Sequence, residues 1–139
     1  MKKQSAKSGR QRLIHKVFVS ASHKDRDLGR DLARRLKEVN ARVIYSELTL
    51  SAGSEFEEEF IKLLEGADEI ILILTNNSIH NLWMIFEIGA AFSLRKKITP
   101  VVVGLEDHEL PPVIKQLQYI RYDKLSEHIS SIGRSAQAA

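Results

Sequence analysis

The stretch that decides the fold is NNSIHNLWMIFEIGAAFSL, residues 76–94, which follows the most apolar run of the chain, IILIL at 70–74. A short unbroken apolar run is typical of a parallel strand buried on both faces. The stretch after it contains the only tryptophan, Trp83, and a glutamate four residues later, Glu87. Because positions i and i+4 share one face of a helix, we expect the indole and the carboxyl to project side by side.

Length and composition indicate a single soluble globular domain. The chain has 139 residues, of which 43% are hydrophobic and 28% are charged, as is usual for such domains. It has no cysteine, which excludes disulfides and cysteine-ligated zinc. No apolar run approaches the roughly 20 residues of a membrane-spanning helix, so we expect a cytoplasmic protein without membrane contact.

The basic charge of the chain is concentrated at its start. Residues 1–16 contain six basic and no acidic residues, so the rest of the chain carries a net charge of −3, although the whole chain carries +3. We expect residues 1–15 to form a disordered basic tail. Because the body of the domain is mildly acidic, direct binding of nucleic acid is not expected.

Strand and helix patterns alternate five times along residues 16–133. The strands are expected at 16–20, 41–45, 69–74, 98–103 and 118–122, and helices follow them at 24–38, from Ser54, at 81–94, at 113–117 and from Leu125. This alternation predicts an α/β domain, a flavodoxin-like three-layer sandwich with a five-stranded parallel sheet in the order 2-1-3-4-5. Residues 134–139 are expected to form a flexible C-terminal tail.

The strand order also predicts where a ligand binds. In such sheets the crevice lies past the carboxyl ends of strands 1 and 3, where the winding reverses. Those ends correspond to residues 20–22 and 75–77, and the helix with Trp83 and Glu87 begins beside them.

Several familiar sites are missing from the sequence. There is no GxGxxG after the first strand and no GxxxxGK[ST], which argues against a dinucleotide fold or a P-loop. Thr75-Asn76 stands where a receiver domain has its phosphate-accepting aspartate. The acidic run at 55–59 is typical of a helix start, and none of the five histidines has metal-ligand spacing. We therefore expect no metal site and treat each histidine as a surface or loop residue.

Taken together, the segments resemble a Toll/interleukin receptor homology (TIR) domain of the bacterial type. The resemblance covers about residues 16–130, and it rests on these segments: VFVSASHKD at 17–25, Glu47 with the loop through Gly53, Asn77-Ser78 through Trp83-x-x-x-Glu87-Ile-Gly-Ala-Ala, and Leu110-Pro111-Pro112 leading to Gln118.

The resemblance implies an enzyme of the NAD-cleaving subgroup. Many TIR domains cleave NAD⁺ between nicotinamide and ribose, with a catalytic glutamate in a Trp-x-x-x-Glu pattern, and Glu87 occupies that position. NAD⁺ would then be the substrate and not a cofactor, and ADP-ribose or a cyclic isomer the product, in bacterial immune or stress signalling. The resemblance also implies self-association through the 46–53 loop and leaves room for an effector protein as partner.

Other residues near the crevice are candidates for substrate binding. Ser20, Ser22 and Lys24 could hold ribose or phosphate, Glu47 a ribose hydroxyl, and Trp83 could stack on a ring or exclude water. A tryptophan at this spacing is equally typical of core packing.

Glu87 has no helical partner, because positions i+3 and i+4 are alanines. Its apolar neighbours would raise its pKa if it is buried.

Two alternatives remain open at this point. The chain could be a non-catalytic module that works by TIR–TIR contact, because other members of the family only bind one another. It could also be a nucleoside-cleaving transferase of related architecture, which would act on nucleosides and not on NAD⁺.

Overall fold

A computed structural model describes the backbone of residues 15–48 and 54–137 and the side chains of residues 15–45 and 58–134. It contains one sheet of five parallel strands in the order β2-β1-β3-β4-β5. The strands are β1 Lys16–Ser22, β2 Arg42–Leu48, β3 Glu69–Leu74, β4 Lys97–Val102 and β5 Ile120–Arg121. The predicted fold class and strand order are therefore confirmed.

Five α-helices connect and cover the strands of the described chain. They are α1 Arg26–Glu38, α2 Ser54–Glu65, α3 Leu82–Ser93, α4 Pro112–Gln116 and α5 Leu125–Gln137. Single 3₁₀ turns precede α1, at His23–Asp25, and α5, at Tyr122–Lys124, and another lies at Asp107–Glu109. None of the helices in these ranges is long and apolar enough to cross a membrane.

The two faces of the sheet form two separate hydrophobic cores. Phe18 and Leu72 belong to the core that α2, α3 and α4 cover, whereas Val17 and Val19 belong to the core that α1 and α5 cover. Because side chains alternate along a strand, Ser20 and Ser22 lie on the same face as Phe18. The serines at the end of β1 therefore point toward the layer that contains α3.

The ends of several elements differ from the sequence-based expectation. The predicted 46–53 loop begins later, because β2 continues to Leu48 by pairing with the end of β1. Ser22 occupies the N-cap position of the first 3₁₀ turn, but its side chain makes no cap hydrogen bond. On α2, Leu63 follows the buried Phe60 by one turn of helix but is itself 38% exposed.

The expectations for the two chain ends fall partly outside the described residues. The last helix runs to Gln137, so residues 134–137, which we had placed in a flexible tail, are helical. Residues 1–14 of the basic segment and residues 49–53 of the loop after β2 lie outside the structure that is described.

Candidate active site

The turn between β3 and α3 sets the direction of the helix that carries Glu87. The Asn81 side chain caps α3 by accepting a hydrogen bond from the Trp83 backbone N–H at 2.9 Å. The nearby Ser78 hydroxyl accepts a hydrogen bond from the Thr75 N–H at 3.1 Å and donates one to the Ile73 carbonyl at 3.3 Å. These bonds hold the end of β3 and the start of α3 in a fixed relation.

Glu87 lies on the inner face of α3 and is 1% exposed. Within the described residues, neither carboxyl oxygen has a hydrogen-bond partner, and the buried Ser20 hydroxyl has none either. Burial raises the pKa of Glu87 to about 8, and the neighbouring Ser20 hydroxyl opposes this rise by a smaller amount. The carboxyl is therefore protonated at neutral pH in this state of the molecule.

A buried carboxyl without partners is an exception among folded proteins. Nine in ten or more buried polar groups are hydrogen-bonded, because an unpaired one costs about 1–3 kcal/mol. Glu87 and Ser20 bring together three such oxygens, two from the Glu87 carboxyl on α3 and one from the Ser20 hydroxyl near the end of β1. A group that costs stability in the free protein is a candidate for contact with a ligand.

Trp83 packs in an aromatic cluster instead of standing free beside the carboxyl. Its ring centroid lies 5.5 Å from that of Phe60, edge-on, and 4.7 Å from that of Phe86, tilted. Phe60 in turn meets Phe18 of β1 at 5.3 Å. The core-packing alternative therefore describes Trp83 in the structure, and its role toward a substrate stays a prediction.

Asp25 joins the two strand ends that border the crevice. One of its carboxylate oxygens accepts hydrogen bonds from Ser22 Oγ at 2.7 Å and from Thr75 Oγ1 at 2.6 Å. The other accepts from Asn77 Nδ2 at 2.8 Å. This role of Asp25 was not predicted from the sequence, where the residue appears only at the end of the segment VFVSASHKD. Its position three residues after a serine at the switch point was the available signal.

The other three predicted site residues, Ser22, Lys24 and Glu47, differ in their surroundings. Ser22 is buried and donates its hydroxyl to Asp25, whereas Lys24 is exposed at the same edge of the sheet. The backbone of Glu47 pairs with Ala21 in the β1–β2 register, but the Glu47 side chain lies outside the described part of the chain. The structure thus brings Ser20 and Glu87 together and places Ser22 in a neighbouring network.

A second buried glutamate lies at the opposite end of the strands, where their amino ends are. Glu69, at the start of β3, is 0% exposed and accepts hydrogen bonds from His15 Nε2 at 2.9 Å, from His128 Nε2 at 2.6 Å and from Thr99 Oγ1. Burial alone would raise the pKa of Glu69, but these bonds outweigh it and lower the pKa to about 2.

His128, which lies in α5 and is partly buried, corrects our expectation that every histidine lies in a loop or on the surface, whereas His15 lies in the segment before β1. His15 and His128 are partly buried and bonded to Glu69. The four residues are dispersed along the sequence, so no spacing could have revealed them. Among the described side chains, no group of three or more potential ligands could hold a metal ion.

Comparison with known proteins gives one family and a shared fold. A family model described as a TIR domain matches residues 17–133. No curated protein sequence matches the chain significantly.

Two solved structures are similar in fold. A prokaryotic SEFIR domain is 17% identical with a TM-score of 0.59, and the alignment covers 88% of this chain and 92% of that one. The CMP N-glycosidase of Clostridium botulinum is 21% identical with a TM-score of 0.54, with 84% and 96% covered.

Proposed function

The chain belongs to the TIR domain family, and we propose that it is an N-glycosidase that cleaves the nicotinamide–ribose bond of NAD⁺. The observation that carries the proposal is Glu87, a carboxyl sheltered at the winding reversal of the sheet without a partner in the described structure. The fold shared with a CMP N-glycosidase supports the same class of bond. The product would be ADP-ribose or a cyclic isomer, formed in the cytoplasm as a signal.

One carboxylate is enough for this reaction. Nicotinamide leaves NAD⁺ from a ring that is already cationic, so the C1′–N bond breaks with its electron pair going to the ring and needs no proton donor. An ionised Glu87 would stabilise the cationic ribose or hold one of its hydroxyls. Water then adds its oxygen to C1′ and releases a proton to solvent, which gives ADP-ribose.

The protonated resting state of Glu87 has a consequence for binding. A positive pyridinium beside the carboxyl favours its ionised form, so NAD⁺ would bind with release of the Glu87 proton. The Ser20 hydroxyl, which has no partner among the described residues, would then donate to the new carboxylate or to the ribose. Because Glu87 is buried, the proposal also requires α3 or its neighbours to move when substrate enters.

The other predicted contacts complete the proposal. Lys24 is exposed beside the crevice and would bind the pyrophosphate. Ser22 and Glu47 would form hydrogen bonds with ribose hydroxyls. Trp83 would wall off water from its place in the aromatic cluster. Self-association through the 46–53 loop and an effector protein as partner remain part of the proposal.

A second substrate class has one observation in its favour. A neutral base such as cytosine leaves ribose more easily when it is protonated, and the protonated carboxyl of Glu87 could supply that proton. The CMP N-glycosidase with this fold acts, by its name, on such a substrate. Nucleoside monophosphates therefore belong in the same assay as NAD⁺.

The experiment compares base release by the wild type and by Glu87→Gln and Glu87→Ala, at high protein concentration. Glu127→Gln, which changes an exposed glutamate on α5, is the matched control. Release of nicotinamide that persists in Glu127→Gln and falls about 100-fold or more in both Glu87 variants supports the proposal. Release of cytosine alone favours the second class. No release from any substrate by folded, concentrated wild type would leave the TIR–TIR interaction module as the function.

A further inference from the structure

Glu69 and His128 form a buried pair that the proposed reaction does not use. The Glu69 carboxyl is 0% exposed, and its pKa of about 2 means that it is ionised, so it can only accept hydrogen bonds. The His128 Nε2, at 2.6 Å, therefore carries a proton and donates it to Glu69. This bond fixes the orientation of the imidazole and leaves its other nitrogen, Nδ1, without a partner in the described structure.

His128 also lines a groove at one edge of the sheet. The sheet ends at β5, a strand of two residues that pairs only with β4, and α5 follows it with 13 residues. The space between these two elements forms a groove of about 590 Å³, a volume in the range of small-molecule sites. The imidazole of His128 is 12% exposed, and Nδ1 is the ring nitrogen that a molecule in the groove can reach.

Two basic side chains of the groove have no partner of their own. Lys124 and Arg134 line it and are exposed, and within the described part of the chain neither forms an ion pair or a side-chain hydrogen bond. Arg121, the third arginine or lysine of the groove, differs because its guanidinium is bonded to the loop after β4. Lys124 precedes His128 by four residues, so the two side chains project to the same side at the start of α5.

We propose that this groove binds a phosphorylated sugar, with a phosphate group between Lys124 and His128. Phosphate oxygens accept hydrogen bonds from an ammonium group and from an imidazolium ring, and such charge-assisted bonds are the strong ones. The imidazole would take up one proton from solvent when the phosphate binds. One ring would then donate from Nε2 to the Glu69 carboxylate and from Nδ1 to the ligand, so the buried negative charge would support a positive group at the groove.

The acidic residues of the groove decide what else the ligand carries. Asp123 and Glu127 also line it, and their charges would repel a ligand made of phosphate groups alone. Carboxylates accept hydrogen bonds from sugar hydroxyls, as the acidic residue of a dinucleotide-binding fold does from ribose. A sugar phosphate offers both the anion and the hydroxyls that this set of side chains requires.

Arg134 provides a place for a second phosphate. It follows His128 by six residues, which is about 9 Å along the axis of α5. A sugar bisphosphate could therefore contact Lys124 and His128 with one phosphate and Arg134 with the other. The site is separate from the crevice with Glu87, and it does not depend on the proposed cleavage of NAD⁺.

Calorimetric titration of the full chain with fructose 6-phosphate, fructose and inorganic phosphate tests the site. We expect fructose 6-phosphate to bind with a Kd of about 1 mM or less, and the other two to bind at least about tenfold more weakly. Lys124→Gln changes an exposed side chain without a partner, so it should fold normally and bind fructose 6-phosphate about tenfold more weakly. Lys115→Gln, on α4 outside the groove, is the matched control and should bind as the wild type does.

Two results of this titration would overturn the proposal. One is equal affinity of Lys124→Gln and Lys115→Gln for fructose 6-phosphate. The other is inorganic phosphate that binds as tightly as fructose 6-phosphate, which would show a simple anion site without recognition of a sugar.

Fructose 1,6-bisphosphate tests the role of Arg134. It should bind the wild type about tenfold more tightly than fructose 6-phosphate does. Arg134→Gln should remove this advantage and leave the affinity for the monophosphate unchanged. A bisphosphate with no advantage in the wild type, or with the same advantage in Arg134→Gln, would overturn the placement of the second phosphate.

NMR of the histidine rings tests the contact with His128 directly. The resonances of this ring are those that His128→Gln removes, and the glutamine amide can still donate to Glu69. At constant pH, fructose 6-phosphate should shift the His128 resonances toward those of a protonated ring, whereas His80, exposed in the turn before α3, should not respond. A His128 ring that does not respond at saturating ligand, or one that shifts no more than His80, would overturn the proposal whatever the outcome of the NAD⁺ assay.

Discussion

Glu69 and Glu87 are both buried glutamates of one small sheet, and the structure treats them in opposite ways. Glu69, at the amino end of β3, accepts hydrogen bonds from two histidines and a threonine, and its pKa falls to about 2. Glu87, past the carboxyl end of the same strand, has no partner among the described residues, and its pKa rises to about 8. Burial is the same, so the partners decide whether a carboxyl is ionised.

The difference separates stability from reactivity. The bonds of Glu69 connect the residue before β1, the start of β4 and α5, so they hold the amino edge of the sheet together. The carboxyl of Glu87 connects nothing in the described structure and costs stability when it ionises. Parallel sheets place ligands at their carboxyl edge, and the edge with the unpaired group is that one.

The largest loss of stability should follow from removing the charge at Glu69. Glu69→Gln replaces a charged acceptor of three hydrogen bonds with a neutral amide that also presents an N–H group to the histidines. We expect the free energy of unfolding to fall by about 3 kcal/mol at pH 7, as measured by urea denaturation. Glu127→Gln should change it by less than about 0.5 kcal/mol. Equal effects of the two variants would remove the distinction that we draw for Glu69.

The reverse effect is expected at Glu87, and it depends on pH. Its folded-state pKa is raised from 4.5 to about 8, so the unfolded chain releases this proton first and the wild type loses stability as pH rises from about 4.5 to 8. Glu87→Gln cannot ionise. It should exceed the wild type by less than about 1 kcal/mol at pH 5 and by roughly 4–5 kcal/mol at pH 9. A difference that is constant with pH would show that Glu87 is not held neutral.

At acidic pH, the stability of the wild type should report on Glu69 and not on Glu87. The pKa of Glu69 is lowered from 4.5 to about 2, so its stabilising contribution is complete above pH 4.5 and is lost as pH falls toward 2. The wild type should lose about 2 kcal/mol more across this interval than Glu69→Gln does. Chemical denaturation at pH 5 and pH 3 checks this. Parallel losses in the two proteins would contradict the assignment.

A smaller effect is expected at the crevice rim. Asp25→Asn weakens the acceptor of Ser22, Thr75 and Asn77 and should cost about 1–2 kcal/mol. Because these bonds join the ends of β1 and β3, we also expect faster hydrogen exchange of the Asn77 and Ser78 amides. Thr75→Val, which removes only one of the donors, is the graded control. A change at β2 without one at these amides would contradict the proposed connection.

The fold could be predicted from the sequence because its signals are local. The apolar run of β3, the helical spacing of Leu28, Leu32 and Leu36, and the regular alternation of elements each specify one element, and the strand order follows from them. The ends of the strands could not be predicted in the same way, because a strand ends where its neighbour stops pairing with it. β2 continues to Leu48 because β1 continues beside it to Ser22.

The site was predicted only in part. The sequence singled out Glu87 through the resemblance and the pattern around it, and the structure shows that this residue is buried, while its catalytic role stays a prediction. The network of Asp25 and the cluster of Glu69 were missed, because most of their hydrogen bonds join residues 50 or more positions apart. The packing of Trp83 with Phe60 likewise depends on how α2 and α3 meet, which no spacing within either helix reveals.

A titration of the glutamate side-chain carboxyls by ¹³C NMR tests the central claim directly, since both groups are read in one experiment. We predict a resonance that Glu87→Gln removes with a midpoint near pH 8, and one that Glu69→Gln removes with a midpoint near pH 2. Ordinary midpoints near pH 4.5 for the Glu87 resonance would show that its carboxyl is solvated or paired. The case for a sheltered catalytic acid at the winding reversal would then fail.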